Sequence, residues 1–152
     1  MKKNSGFTLL EVLIVVAVIS IIGAAGAAYF RNSVVRAGSE SVAKVLVSDI
    51  RGAQAHASLG ESGLRWGVHV VNAATDYYEV FSTPTNYSDP LMSVDATTTL
   101  APGVTFTDPS QGSTKDILFG TLGTTTATTV SMTSEGGATT ITISAFGATS
   151  IQ

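Results

Sequence analysis

The acidic residue Glu11 stands at the start of an otherwise apolar run, within the stretch GFTLLEVLIVV at residues 6–16. From Val12 to Phe30 the sequence has no charged residue, and Ser20 is the one hydrophilic side chain. A carboxylate near hydrocarbon is unfavourable by about 2.5–3.5 kcal/mol at the centre of a membrane-spanning helix, and by less towards the helix end. Glu11 is therefore a candidate functional residue that requires a cationic partner.

Few other residues have the types and spacing of a catalytic or metal site. The histidines, His56 and His69, are expected on a helix and in a strand, and the absence of cysteine excludes disulfides and thiolate zinc sites. The sequence contains neither the G-x-S-x-G nucleophile motif nor the G-x-x-x-x-G-K-[ST] phosphate-binding loop. Asp108 and Asp116 flank a loop and are candidate calcium ligands, although a solvated loop is the simpler interpretation. We expect no enzyme activity, no cofactor and no resident metal.

The elements that position Glu11 begin with the apolar run itself. Val12–Phe30 has nineteen residues, which span about 28 Å as a helix, close to the thickness of the bilayer hydrocarbon. Lys2 and Lys3 precede the run and favour a cytoplasmic N-terminus. A secretory signal peptide cleaved at Ala25-Gly26-Ala27 is one interpretation, and a retained anchor is the other. The signal-peptide interpretation gives Glu11 no role.

Helical periodicity continues beyond Phe30. One face carries apolar residues at spacings of seven, four, four, three and four, namely Val35, Val42, Leu46, Ile50, Ala53 and Ala57. No proline occurs before Pro84, so one helix is allowed from about residue 7 to residue 58, and Gly60 and Gly63 are stop signals. The amphipathic half has the pattern of a helix that covers one face of a sheet.

The rest of the chain has the pattern of β structure. LRWGVHVV and YYEVFST alternate in polarity and predict a hairpin, while Pro84 and Pro90 mark a surface loop. GVTFT, DILFG, TTVSMT and TTITISA predict further strands, with SEGG at residues 134–137 as a turn. The aromatic residues of the hairpin are either an exposed binding patch or a core, and the alternation favours a core; they are Trp66, Tyr77, Tyr78 and Phe81. The predicted fold is α+β, a long N-terminal helix packed on a small, mainly antiparallel β-sheet head.

The first residues, MKKNSGFTLLEVLIVVAVISIIGAA, resemble the N-terminus of a type IV prepilin or type II secretion pseudopilin. The resemblance implies that a prepilin peptidase cleaves between Gly6 and Phe7 and that the new amine of Phe7 is N-methylated. It also implies four segments: a leader at 1–6, a transmembrane and filament-core helix at 7–30, an amphipathic helix at 31–60, and a β-rich globular head at 61–152.

The same resemblance supplies a partner for Glu11. Cleavage creates a cationic amine at Phe7, and an assembly salt bridge from Glu11 to the amine of a neighbouring subunit would leave neither charge buried alone. Two milder interpretations remain open. Glu11 lies four residues after Phe7 and is able to pair with its own amine, or it stabilises the positive end of the helix by about 0.3–1 kcal/mol.

The body of the chain is similar to the H-type minor pseudopilins and FimT-like minor pilins, on SDIRGAQAHA, WGVHV, YYEVF, PGVTF, ILFG and ITISAFGATS. This implies a low-copy structural subunit of a pilus or pseudopilus. Its implied partners are other subunits, the prepilin peptidase and methyltransferase and, indirectly, the membrane platform protein and assembly ATPase. The implied location is the bacterial cytoplasmic membrane, with a cytoplasmic N-terminus and an external head, and then the filament.

Alternatives from other classes are a DNA-uptake minor pilin, a secreted binding protein and an anchored module that does not polymerise. The formal charge of the chain is −3, which gives no basic field to attract nucleic acid. Loss of the leader would also remove Lys2 and Lys3. Binding of nucleic acid is therefore not expected. The sequence does not distinguish secretion, adhesion, motility and DNA uptake.

Overall fold

The computed structural model describes the backbone of residues 8–152 and the side chains of residues 8–23 and 39–152. It divides into two compact units, Met1–Val34 and Val35–Gln152. The helix α1 (Leu9–Ser58) begins in the first unit and ends in the second, and a short 3-10 helical turn follows at Glu61–Gly63. The predicted helix boundaries of about 7 and 58 agree with the observed ones, and Gly60 follows the helix end in the left-handed conformation expected of a stop signal.

Eight strands follow: β1 (Arg65–Val71), β2 (Tyr77–Thr83), β3 (Ser93–Thr99), β4 (Val104–Asp108), β5 (Thr114–Phe119), β6 (Thr128–Ser134), β7 (Gly137–Ile143) and β8 (Thr149–Ile151). They form two four-stranded antiparallel sheets, ordered β3-β2-β1-β5 and β4-β6-β7-β8. The α+β prediction is confirmed, with two sheets where a single small sheet was expected.

The two predicted local connections are present. β1 and β2 form the hairpin, with Val68 opposite Val80, and the turn at 134–137 joins β6 to β7, with Ser134 opposite Gly137. β3 and β8 were not predicted. β3 has the sequence SVDATTT and is mostly exposed, so it lacks the alternation of a half-buried strand. β8 has three residues, too few to show a period.

The amphipathic half of α1 lies against both sheets of the head. Leu46, Ile50, Ala53 and Ala57 are buried as predicted, and Val42 is partly buried against the same core. The side chain of Val35 lies outside the described residues. The helix face is wider than predicted because Ala43 and Val47 are buried too. Leu100 and strand residues complete the core, the strand residues being Trp66, Val68, Val70, Tyr78, Val80, Val104, Phe106, Ile117, Phe119, Val130, Met132, Ile141 and Ile143.

A second, smaller layer covers the opposite face of the β3-β2-β1-β5 sheet. The loop after β2 places Tyr87 on His69, with ring centroids 3.6 Å apart and planes 6° apart, and edge-on to Phe81. Gly67 permits this packing, because a Cβ there would lie 2.6 Å from the carbonyl oxygen of Ile117 and 3.0 Å from the Phe81 ring. The loop around Pro84 and Pro90 is otherwise mostly exposed, as predicted for a surface loop, and Tyr87 is the residue that packs on the sheet.

A buried polar node in the β1–β2 turn connects the two sheets. The Asn72 amide group donates to the carbonyl oxygens of Phe106 (2.9 Å) and Pro109 (2.7 Å). The Asp76 carboxylate accepts the backbone N–H of Phe106 at 2.7 Å and that of Ala73 at 3.0 Å. Buried polar groups need such partners, so this turn fixes where β4 lies beside the first sheet.

Candidate assembly site at the N-terminal helix

The two residues of the expected cleavage site, Gly6 and Phe7, lie outside the described residues. Thr8 is the first described residue and immediately precedes α1. The Thr8 Oγ1 atom accepts a 3.3 Å hydrogen bond from the backbone N–H of Glu11. Thr8 and Glu11 thus occupy the first and last positions of the T-x-x-E capping box, a pattern that satisfies free N–H groups at a helix start. Sequence reasoning missed this role of Thr8, although the spacing was visible.

The surface around Glu11 is apolar and exposed. Glu11 shares a shallow groove with Val12, Val15 and Val16. The leucine, valine and isoleucine side chains from Leu9 to Ile22 are between 48% and 80% exposed. A helix that is apolar all round is stable in lipid or among other helices. The arrangement presents one carboxylate on a surface that requires cover.

The helix surface near residue 23 is open. A methyl group added at Gly23 would meet no atom within 4 Å. Small residues at such a position let a neighbouring helix approach closely. Ser20 donates its hydroxyl to the Val16 carbonyl oxygen at 2.7 Å, so the one hydrophilic side chain of this segment is satisfied within its own helix.

Among the helices of the described part of the chain, none combines the length and the apolar character needed to span a membrane.

The histidines are partners in two separate structural clusters of the head. His69 is buried in β1, and its Nδ1 atom bonds to Asp116 on β5. Tyr87 stacks on His69 and donates its hydroxyl to Glu79. Burial, and then the bond to Glu79, raise the pKa of Tyr87 above its ordinary value.

The other histidine, His56, belongs to the last turn of α1. Its ring stacks on that of Trp66, with centroids 4.5 Å apart, and its Nδ1 atom bonds to Glu61. Each histidine therefore has an aromatic and an acidic partner that account for its position.

The candidate calcium ligands are engaged by protein partners. Asp108 bonds to the Lys115 ammonium and accepts the Thr129 hydroxyl at 2.9 Å, while Asp116 bonds to His69. Burial alone would raise the pKa of Asp108, but the hydrogen bonds from Lys115 and Thr129 outweigh it and hold that pKa below its usual range. No cluster of three or more His, Cys, Asp or Glu side chains suited to a metal occurs among the described residues.

Two of the four hairpin aromatic residues, Trp66 and Tyr78, belong to the core as predicted, whereas Phe81 is buried in the second layer beside Tyr87. Trp66, Tyr78 and Phe81 are buried, and Tyr77 is half-buried. Tyr78 also has a polar role that sequence reasoning missed, because its hydroxyl donates to Asp49 Oδ2 on α1 at 2.6 Å.

Comparison with known proteins adds a motif match and a fold similarity. Residues 1–27 match the family model described as the prokaryotic N-terminal methylation motif. The fold resembles the minor pseudopilin EpsH from the type 2 secretion system of Vibrio cholerae, with a TM-score of 0.53 and 16% sequence identity, covering 76% of this chain and 96% of that chain. The N-terminal segment thus matches a methylation motif, and the fold of the head is similar to that of a minor pseudopilin. No curated protein matches the sequence.

The two comparisons concern different parts of the chain. The methylation motif covers the N-terminal segment in which Gly6, Phe7 and Glu11 stand. The likeness to EpsH, at this identity, concerns the fold, namely a helix packed on antiparallel sheets. The resemblance to prepilins and pseudopilins drawn from the sequence is thereby confirmed.

Proposed function

We propose that this chain is a minor pilin or pseudopilin, a structural subunit of a type IV pilus or type II secretion pseudopilus. One observation carries the proposal: a prokaryotic methylation motif at residues 1–27 occurs in the same chain as a fold like that of a minor pseudopilin. Its partners are other subunits of the filament and, through processing and assembly, the prepilin peptidase, the platform protein and the assembly ATPase.

Processing is the first step of the proposed role. Prepilin peptidase cuts after Gly6, and methylation of the Phe7 amine follows. Cleavage converts a peptide nitrogen into a cationic amine four residues before Glu11. Methylation retains the positive charge of the amine, so the partner that Glu11 requires persists after modification.

Storage in the membrane is the second step. The exposed apolar side chains from Leu9 to Ile22 need cover, and lipid provides it before assembly. We place the precursor in the bacterial cytoplasmic membrane through residues 7–30, with the head outside. Residues 31–60 and 61–152 then form the part that projects from the membrane.

Assembly is the third step. Stems of neighbouring subunits replace lipid around the apolar helix, and the open surface at Gly23 favours close packing between helices. The Glu11 carboxylate, exposed on its own helix, pairs with the Phe7 amine of the next subunit. This pairing selects the register of adjacent stems, because a shift would leave two charges unpaired among apolar side chains.

Mass spectrometry of the mature N-terminus tests the proposal. We expect a chain that starts at Phe7 and is heavier by one methyl group, and we expect Gly6→Leu to leave the precursor uncut. Ser5→Leu, the same change one residue earlier, is the control for an effect of bulk near the site. A start near Ala28 or Tyr29 would identify a secreted protein and reject the proposal. An unprocessed native chain would identify a simple anchored module.

A further inference from the structure

We infer that the groove between α1 and β8 binds an extended, acidic segment of another protein chain as an added β-strand. The groove has a volume of about 470 Å³ and is lined by Lys44, Val47, Ser48, Arg51, Thr149 and Ile151. All of these residues belong to the second compact unit, Val35–Gln152. The inference concerns the head alone and goes beyond the proposed role of the stem.

The strand beside the groove has an edge that is not paired with another strand. β8 is the last strand of the β4-β6-β7-β8 sheet and pairs with β7 on one side. Gln152 exchanges backbone hydrogen bonds with Thr140, and antiparallel pairing alternates. The N–H and C=O groups of Thr149 and Ile151 therefore point away from β7.

Contacts of Arg51 show that this edge faces the helix. Its Nε atom donates to Thr149 Oγ1 at 2.9 Å, and Nη2 lies 3.5 Å from the carbonyl oxygen of Thr149. The groove thus has an edge of backbone donors and acceptors on one side and the surface of α1 on the other. An exposed strand edge of this kind is a template for pairing with another chain.

Charge indicates what kind of segment fits. Lys44 and Arg51 line the groove, and none of its lining residues is acidic. The chain as a whole carries a formal charge of −3, so these two cations stand out locally. Lys44 pairs with Glu40 at 2.8 Å, but both side chains are more than 60% exposed. An exposed pair of this kind contributes little, so Lys44 exchanges its partner readily.

An extended acidic strand fits both the backbone edge of β8 and the two cations of the groove. Its backbone hydrogen-bonds Thr149 and Ile151, and alternate side chains point towards α1 because strand side chains alternate between faces. Carboxylates at those positions reach Lys44 and Arg51. Backbone pairing provides affinity and the side-chain positions provide specificity, as in other cases of strand addition.

The test uses the full chain in detergent micelles and two synthetic peptides, TVDVDVT and its uncharged counterpart TVNVNVT. We expect the acidic peptide to bind about tenfold more tightly, a preference that falls with added salt. Hydrogen exchange measured by mass spectrometry should show slower exchange at residues 149–152 when the acidic peptide is bound.

Three variants test the charge of the groove and the backbone pairing with β8 separately. Lys44→Gln removes one of the two cations and does not alter the Arg51 contacts with β8, so it should weaken binding of the acidic peptide about threefold and leave the uncharged peptide unaffected. Ile151→Pro removes one N–H at the outer edge of β8 without removing a bond to β7, and should abolish the binding of both peptides. Arg65→Gln is the matched control, because it makes the same charge change outside the groove and should leave binding unchanged.

Equal affinity for the two peptides, or binding that survives Ile151→Pro, would overturn the inference. So would the absence of binding and of protection up to a peptide concentration of about 1 mM. Protection of residues 149–152 that rises with the concentration of the chain alone would identify a second copy as the occupant and would also reject the acidic partner. None of these outcomes depends on cleavage after Gly6, so they are separate from the test of the proposed function.

Discussion

The hydroxyl of Tyr78 donates a 2.6 Å hydrogen bond to Asp49 Oδ2 and so joins β2 to the amphipathic half of α1. Tyr78 is 1% exposed, so its ring belongs to the core while its hydroxyl reaches the edge of the helix. A phenolate at this position would lie beside a carboxylate. Burial, followed by the bond to Asp49, therefore raises the pKa of Tyr78 above its ordinary value of 10.

Alkaline pH should destabilise the head through its tyrosines. The pKa values of Tyr78 and Tyr87 are raised on folding, so their contribution is complete below the unfolded value of about 10 and is lost as pH rises towards the folded values. We expect the free energy of unfolding to fall above pH 10 and to fall less steeply in Tyr78→Phe. Urea unfolding measured between pH 8 and pH 12 checks this, on the scale of about a few kcal/mol or less.

Tyr77→Phe is the control for the alkaline experiment, since it removes a hydroxyl from the half-buried neighbour of Tyr78. An alkaline profile of Tyr78→Phe identical to that of the wild type would contradict the prediction. Absorbance of tyrosinate gives a second readout, because Tyr78 and Tyr87, two of the four tyrosines, should ionise later than an unperturbed tyrosine.

Acid should weaken the link between β4 and β5. The pKa of Asp108 is lowered in the folded chain, so its bonds to Lys115 and Thr129 stabilise the head above the unfolded value of about 3.9 and are lost as pH falls through the folded value. Asp108→Asn should remove this part of the acid dependence. The free energy of unfolding, measured from pH 5 to pH 2, gives the size of this contribution. Asp95→Asn, on the exposed strand β3, is the control. The prediction would be refuted if the free energy of unfolding of Asp108→Asn fell with pH as steeply as that of the wild type, while that of Asp95→Asn fell less steeply.

The helix face at Ile50 should carry much of the stability of the head. Ile50 is fully buried against both sheets, and truncation of such a residue removes apolar contacts and leaves a cavity. Ile50→Ala should lower the free energy of unfolding by about 2–5 kcal/mol. Val45→Ala, on the exposed side of the same helix, should change it by about 0.5 kcal/mol or less. Equal losses in the two variants would show that α1 is not packed on the sheets through this face.

Replacement of Glu11 by valine should leave cleavage intact and impair incorporation into filaments. The reason is that the variant retains the apolar surface but loses the proposed anionic partner of the Phe7 amine. Immunoblots of sheared filaments, alongside membrane fractions, measure the incorporated share. Glu40→Gln, which removes an exposed acid further along α1, is the control and should be incorporated normally. If Glu11→Val is incorporated into filaments as well as the wild type, the assembly role is wrong. The remaining role of Glu11 is then helix capping together with Thr8.

The sequence by itself determined the features that depend on neighbours along the chain. The apolar run, the spacing of Leu46, Ile50 and Ala53, and the glycines after Ser58 define α1, because helical geometry repeats over a few residues. The β1–β2 hairpin and the turn at 134–137 follow from alternation and turn residues. The proposed roles of Gly6, Phe7 and Glu11 also come from one short stretch, since a processing motif is a local pattern.

Only the tertiary structure decided which distant groups meet. Asp49 and Tyr78 are 29 residues apart, and nothing local to either residue indicates the other as its partner. Asn72 and Asp76 bind the chain near Phe106, 34 and 30 residues further on, and so connect the two sheets. β8 and its groove exist because three residues near the C-terminus find β7 as a partner and Arg51 as a neighbour. Short exposed strands carry too little burial pattern to specify such pairings, so their places are set by the surfaces that the larger elements leave available.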